Sequence, residues 1–184
     1  MFDQIVTLVK QNAGTAIFNN PAIPNERNDE AVHETSNSII GSLKNMISSG
    51  NISDILKMFS GQHEASNNPV TNHISGNLIQ NLMSKFGLDH VAASGIAGNL
   101  VPDVMKNLVN KTNDPADSSF DIQGIFNHLS GGTASGFNVQ SLLDKFKGGG
   151  GEGHSGLQDL MQNITGGSTN SGGGIMDKIK GMFN

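Results

Sequence analysis

Apolar residues recur along this chain at the three- and four-residue spacing of helices. Phe2, Ile5, Val6, Leu8 and Val9 give one apolar face to a helix running from Phe2 to about Ala13. Asn19-Asn20-Pro21-Ala22-Ile23-Pro24-Asn25 follows, and its prolines and asparagines predict a loop. A long helix is expected from about Asn28 to Ser48. Val32, Ile39, Leu43 and Met46 form its stripe, and Ile40 and Ile47 widen it. Asp29 and Glu30 in its first turn suit the positive end of the helix dipole. Gly50 suits the position just past its end, where left-handed backbone is common.

A short helix is expected over Ile52 to Phe59, stopping at Gly61, with a polar loop from Gln62 to Pro69. Then comes the strongest pair. Ile74, Leu78, Leu82 and Phe86 repeat every four residues within Val70 to Phe86, and Gly87 closes that helix. Asp89 is placed to cap a following helix that reaches about Val109, with Ile96, Leu100, Val104 and Leu108 as its stripe. The small residues Ala93, Ala97 and Gly98 would let a neighbouring helix come close. Pro102 lies inside this helix and is expected to kink or interrupt it, because it lacks an N–H and its ring crowds the preceding turn.

Beyond Lys111 the composition changes: 16 of the 24 glycines follow Pro115. This second part repeats itself. Phe120-Asp121-Ile122-Gln123-Gly124-Ile125-Phe126-Asn127-His128-Leu129 precedes Gly131-Gly132, and Phe137-Asn138-Val139-Gln140-Ser141-Leu142-Leu143-Asp144-Lys145-Phe146 precedes Gly148-Gly149. A third unit carries Leu157, Leu160, Met161 and Ile164. A looser fourth carries Ile175, Met176, Ile179, Met182 and Phe183. Each is about two helical turns long, and so short a helix is marginal alone in water. It needs a surface. The first two units have the stronger apolar faces and are expected to pack back on the helical core. The last two are as well suited to docking on another subunit or protein. The chain thus reads as all-α, with a multihelical domain over 1–112 and a Gly-rich tail of short amphipathic helices over 113–184.

Composition narrows the function classes. The 184 residues carry a net charge of −5, with a single arginine, Arg27, and thinly spread lysines. No basic cluster is visible to displace counterions from nucleic acid, so none is expected as a partner. There is no cysteine, which excludes disulfides, thiolate metal sites and thiol nucleophiles. The N-terminus has an early acid, Asp3, and no long apolar run, so it does not read as a signal peptide. No stretch approaches the ~20 apolar residues of a membrane span. A cytoplasmic protein is the expectation. On that view the sequons at Asn51, Asn110 and Asn163 are chance matches.

Phe86-Gly87-Leu88-Asp89, then Ala92-Ala93-Ser94, then Leu100-Val101-Pro102-Asp103-Val104, then Leu108 and Asn113-Asp114 resemble the YidB-like family of bacterial proteins of unknown function. The family pattern is a glycine-apolar-aspartate turn, a small-residue helix, a proline-bearing apolar segment and a polar turn. The Met1-Phe2-Asp3-Gln4-Ile5-Val6 start and the Gly-rich C-terminal half are similar to longer members in Bacteroidetes-type bacteria. The resemblance covers roughly the first 130 residues. It implies a multihelical YidB-like domain and brings no catalytic residues with it.

The chemical motifs are weak. Gly151-Glu152-Gly153-His154-Ser155-Gly156 fits G-x-G-x-x-G but follows a charged helix and a glycine run, where a dinucleotide site needs a buried strand. The acids of Asn113-Asp114-Pro115-Ala116-Asp117 lack the register and closing glutamate of a calcium loop. His33-Glu34 and His63-Glu64 begin like H-E-x-x-H, but positions 37 and 67 are asparagines, so no zinc pair forms. No catalytic, cofactor-binding or metal-binding residue is therefore assigned, and no cofactor is expected.

The reading favoured by the sequence is a non-enzymatic structural or protein-interaction protein that associates with itself or another protein. Its candidate interaction residues are those nine apolar positions of the third and fourth units. The competing reading is a small-molecule-binding or enzymatic domain with a pocket between helices 70–86 and 91–109, using His73, His90 and Asp103. A third is peripheral membrane association through Ile175 to Phe183, where Lys178 and Lys180 offer only weak attraction.

Overall fold

The computed structural model describes residues 2–117, 119–132 and 138–147. Among them there are α-helices and no strand, so the fold is all-α. α1 (Phe2–Asn12) buries Ile5, Leu8 and Val9, while the Phe2 ring stacks on that of His33 at 5.9 Å. The chain then makes a π-helical turn over Gly14–Phe18 and a 3-10 turn over Asn25–Arg27. Nothing in the pattern predicted the π turn, which buries Ala16 and Ile17 against the core.

α2 (Asn28–Ser48) is a central element, touching α1 and the helices Ile52–Phe59, Pro69–Phe86 and Ile122–Leu129. It ends as expected, with Gly50 at φ 82°. α3 (Ile52–Phe59) buries five of its eight residues, Ile52, Ile55, Leu56, Met58 and Phe59, and turns at Gly61.

α4 (Pro69–Phe86) starts one residue earlier than its apolar stripe suggested. Asn68 supplies the cap: its side-chain oxygen accepts from the Thr71 N–H at 3.0 Å, and Pro69 takes the first helical position, where no N–H is needed. Gly87, at φ 68°, stops the helix in the left-handed region. Asp89 then caps α5 (His90–Thr112), accepting from the Ala92 N–H at 2.8 Å. The three-residue turn makes α4 and α5 an antiparallel hairpin.

α5 runs through Pro102 without interruption. The carbonyl that loses its partner belongs to Gly98, four residues back, and Gly98 lies on the exposed side, where water can bond it. That also corrects the expected role of Gly98. Ala93 and Ala97 are buried, but a Cβ on Gly98 would meet nothing within 4 Å, so no helix is packed there.

The first two tail units lie against the core. α6 (Ile122–Leu129) buries Ile122, Ile125, Phe126 and Leu129 and touches α2. α7 (Val139–Lys147) lies on α3 and α6, with Val139, Leu142 and Leu143 buried. The repeat preserves the cap. Asp121 accepts from the Gly124 N–H at 2.7 Å, and Asn138, its counterpart, accepts from the Ser141 N–H at 2.9 Å. Gln123 joins the two units, its side-chain oxygen accepting from the Val139 N–H at 2.7 Å. The nine candidate residues Leu157, Leu160, Met161, Ile164, Ile175, Met176, Ile179, Met182 and Phe183 lie outside the described residues.

The caps should matter because helices this short hold few backbone bonds of their own. Replacing Asp121 or Asn138 by Ala is expected to lower stability by about 1 kcal/mol each. Urea unfolding would measure it, and a change under a few tenths of a kcal/mol in both variants would show that packing alone holds these units.

Candidate functional site: the polar seam between α2 and α4

Five of the eleven buried residues of α2 are polar: Glu34, Thr35, Ser36, Ser38 and Ser42. Thr35 and Ser36 donate to carbonyls one turn back on their own helix, those of Ala31 and Val32, at 2.9 and 2.8 Å. The other three are met by α4. Lys85 Nζ reaches Glu34 Oε2 at 2.5 Å, Asn81 Nδ2 donates to Ser38 Oγ at 2.9 Å, and Asn77 Nδ2 donates to Ser42 Oγ at 2.8 Å. Positions 34, 38 and 42 rise one turn at a time while 85, 81 and 77 descend one turn at a time. These are the three rungs of an antiparallel ladder, each one helical turn from the next.

The ladder's outer edge opens into a cleft. Along Asn37, Gly41 and Asn45 of α2 and Gln80 of α4 it encloses about 280 Å³. It continues past Asn45 and Asn77 into a space of about 540 Å³ that adds Met46, Ser49, Asn51, Asp54, Pro69 and His73. His73 Nε2 lies 3.4 Å from Asn77 Nδ2, so the ring extends the ladder by one more polar contact.

At the other end, beyond Glu34, charge closes the seam. Arg27 grips Glu30 with two bonds of 2.8 and 2.9 Å and donates to the Lys85 carbonyl at 3.0 Å. Its guanidinium also lies 4.1 Å over the Phe86 ring. One side chain thus ties the start of α2 to the end of α4, taking up a carbonyl the helix itself leaves unpaired.

The sequence-based candidates are not assembled as a single group. His73 faces the α2 cleft with Asn77. His90 sits at the start of α5, 3.3 Å from Ser94 Oγ. In an antiparallel hairpin those two starts are about 20 Å apart, at 1.5 Å per residue. Asp103 is exposed on α5. Sequence reading missed the seam itself. Its signal was the matched four-residue spacing of Glu34, Ser38 and Ser42 against Asn77, Asn81 and Lys85, which a search for apolar stripes passes over.

Among the described residues no group of three or more His, Asp or Glu is arranged to hold a metal ion, and no helix is long and apolar enough to cross a membrane. All five described histidines are exposed. No protein-family model matches the chain, and no curated protein or solved structure matches it either.

Two predictions follow from the polar contacts. Asn81→Ala leaves the buried Ser38 hydroxyl without its donor and should cost about 1–3 kcal/mol. Combining it with Ser38→Ala should cost less than the sum of the single variants, by about 0.5 kcal/mol or more. Additive losses in denaturant unfolding would mean that the rung carries no coupling.

The second concerns acid. The hydrogen bond from Lys10 holds the Asp29 carboxyl below the usual carboxylate range; Arg27 does the same for Glu30, and Ser119 with Lys111 for Asp117. A lowered folded-state pKa means that the unfolded chain binds the proton more tightly. The stabilisation is therefore complete above the unfolded carboxylate pKa of about 4 and disappears as pH falls through the lower folded values. Asp29 and Glu30 are exposed and Asp117 is half-buried beside a half-exposed Lys111, so the contribution should be small and salt-sensitive. Melting temperatures should drop on acidification, and less steeply in 1 M NaCl. An equal drop in both salts would assign the acid effect to other groups.

Proposed function

We propose that this protein is a non-enzymatic structural or protein-interaction protein, a helical domain of the YidB-like kind that associates with itself through its Gly-rich tail. The observation that carries the reading is the seating of α6 and α7. Each is a capped two-turn helix, and Ile122, Ile125, Phe126 and Leu129 of α6 and Val139, Leu142 and Leu143 of α7 are buried. Full burial of one Leu, Ile or Phe contributes about 1.5–3 kcal/mol, enough for three or four such residues to hold a helix that would not persist alone.

The third and fourth units repeat that apolar spacing with Leu157, Leu160, Met161 and Ile164, and with Ile175, Met176, Ile179, Met182 and Phe183. Units of this composition need cover as α6 and α7 do, and we assign it to a second copy of the chain, with another protein as the alternative partner. The same reading has the protein act in the cytoplasm, without a cofactor.

Light scattering on a size-exclusion column, across a concentration series, tests this. The full chain should run at a multiple of 19.3 kDa. A chain ending at Gly149, which retains α7, should run as the monomer. Leu160→Asp with Ile179→Asp should reproduce the truncation. A full chain that stays at 19.3 kDa at every concentration overturns self-association.

A further inference from the structure

The cleft beside the ladder has a ligand chemistry of its own. Asn77 and Asn81 each donate one amide N–H to a serine, and their carboxamide oxygens remain as acceptors. Asn37, Asn45 and Gln80 make no side-chain hydrogen bond to any described residue, so each presents a donor and an acceptor together. These groups line a straight path. From Asn37 to Ser49 along α2 is twelve residues, about 18 Å at the helical rise.

What the path does not contain narrows the ligand. No Lys or Arg lines either part of it, so nothing answers a phosphate, a sulfate or a nucleic-acid backbone. One carboxylate, Asp54, is too few for a divalent-cation cage, which needs six or more oxygens. Its apolar surface is limited to Met46 and Pro69 at one end, far short of the walls that hold a lipid or an aromatic ligand. An extended peptide would need pockets for alternate side chains or a free strand edge, and the two helical rails offer neither. A neutral ligand dense in hydroxyl groups meets all of these conditions. Each hydroxyl both donates and accepts, as each carboxamide does, and the C–H faces of a sugar ring can lie on Met46 and Pro69.

We infer that the α2–α4 cleft is a binding site for a short, uncharged carbohydrate chain, held by the carboxamides of Asn37, Asn45, Asn77, Gln80 and Asn81. The site is independent of self-association through the tail. Its outward residues are surface positions, so they can be changed without opening the core.

The test is a titration of the full-length ¹⁵N-labelled chain, followed by the side-chain amide signals of these asparagines and Gln80. The probes are cellotriose, maltotriose, chitotriose and mannotriose, with the peptide Gly-Ser-Gly-Ser-Gly as the comparison. Saturable shifts of the cleft amides with at least one trisaccharide are expected. An Asn45→Ala, Gln80→Ala double variant with unchanged helical circular dichroism should bind about tenfold more weakly. No shift with any sugar overturns the proposal. So do shifts with the peptide alone, or cleft signals that move with protein concentration and no longer answer to sugar, which would make the occupant a second copy.

Discussion

The structure depends on satisfying the polar side chains that α2 carries into the interior. α2 keeps Asp29, Glu30 and Lys44 in water on one face, and it brings Glu34, Ser38 and Ser42 to the side covered by α4. A buried polar group without a partner costs about 1–3 kcal/mol, so the position of α4 is not free. The three rungs to Lys85, Asn81 and Asn77 are met together in one register. Sliding α4 by one turn would set Lys85 against Ser38 and strand Glu34. Apolar stripes alone discriminate weakly between such registers, because Leu and Ile accept one another at any turn. The ladder supplies the discrimination, as a buried polar pair does in other helical assemblies.

Once α4 is placed, the rest follows in short steps. Gly87 and Asp89 make a short turn, and α5 packs on α4 with Ala93 and Ala97 buried. The Asn107 amide of α5 then donates to the Asn12 side chain of α1 at 2.8 Å, and Asn113 donates to the Phe59 carbonyl at the end of α3 at 2.9 Å. These are again asparagines, and they tie helix ends where backbone groups lack partners. Several asparagines of this chain are thus cross-links between helices.

Much of the helical order was legible because its signals are local. Apolar spacing, Gly50, Gly61, Gly87 and Asp89 each act within a turn or two of where they stand, and the helices begin and end within a few residues of those marks. Two features were not legible for physical reasons. The π turn at Gly14–Phe18 buries Ala16 and Ile17 and touches α1, α2 and α5, contacts that no neighbouring residue announces. The polar seam depends on two stretches about 40 residues apart, and each half by itself reads as an ordinary solvated face. Pro102 is the converse case: its local rule is sound, but the cost is relieved by the exposed glycine one turn earlier. The cleft inherits the seam's invisibility, since its carboxamides converge only after α2 and α4 have been set side by side.

The tail is attached on different terms from the core. α6 and α7 bury Ile122, Ile125, Phe126, Leu129, Val139, Leu142 and Leu143, all apolar, with the Gln123 bond to the Val139 N–H as a polar link between the units. Most of the buried side chains here are apolar, whereas α2 presents buried polar ones to α4. Apolar faces of this kind bind wherever complementary apolar surface is offered, and they do so without a geometric code. Packing registered by polar pairs in the first part of the chain stands beside apolar packing of α6 and α7 in the second. The first part can hold a shape. The second repeats its apolar spacing four times in sequence, and on the proposed function it is this repetition that joins one copy of the chain to another.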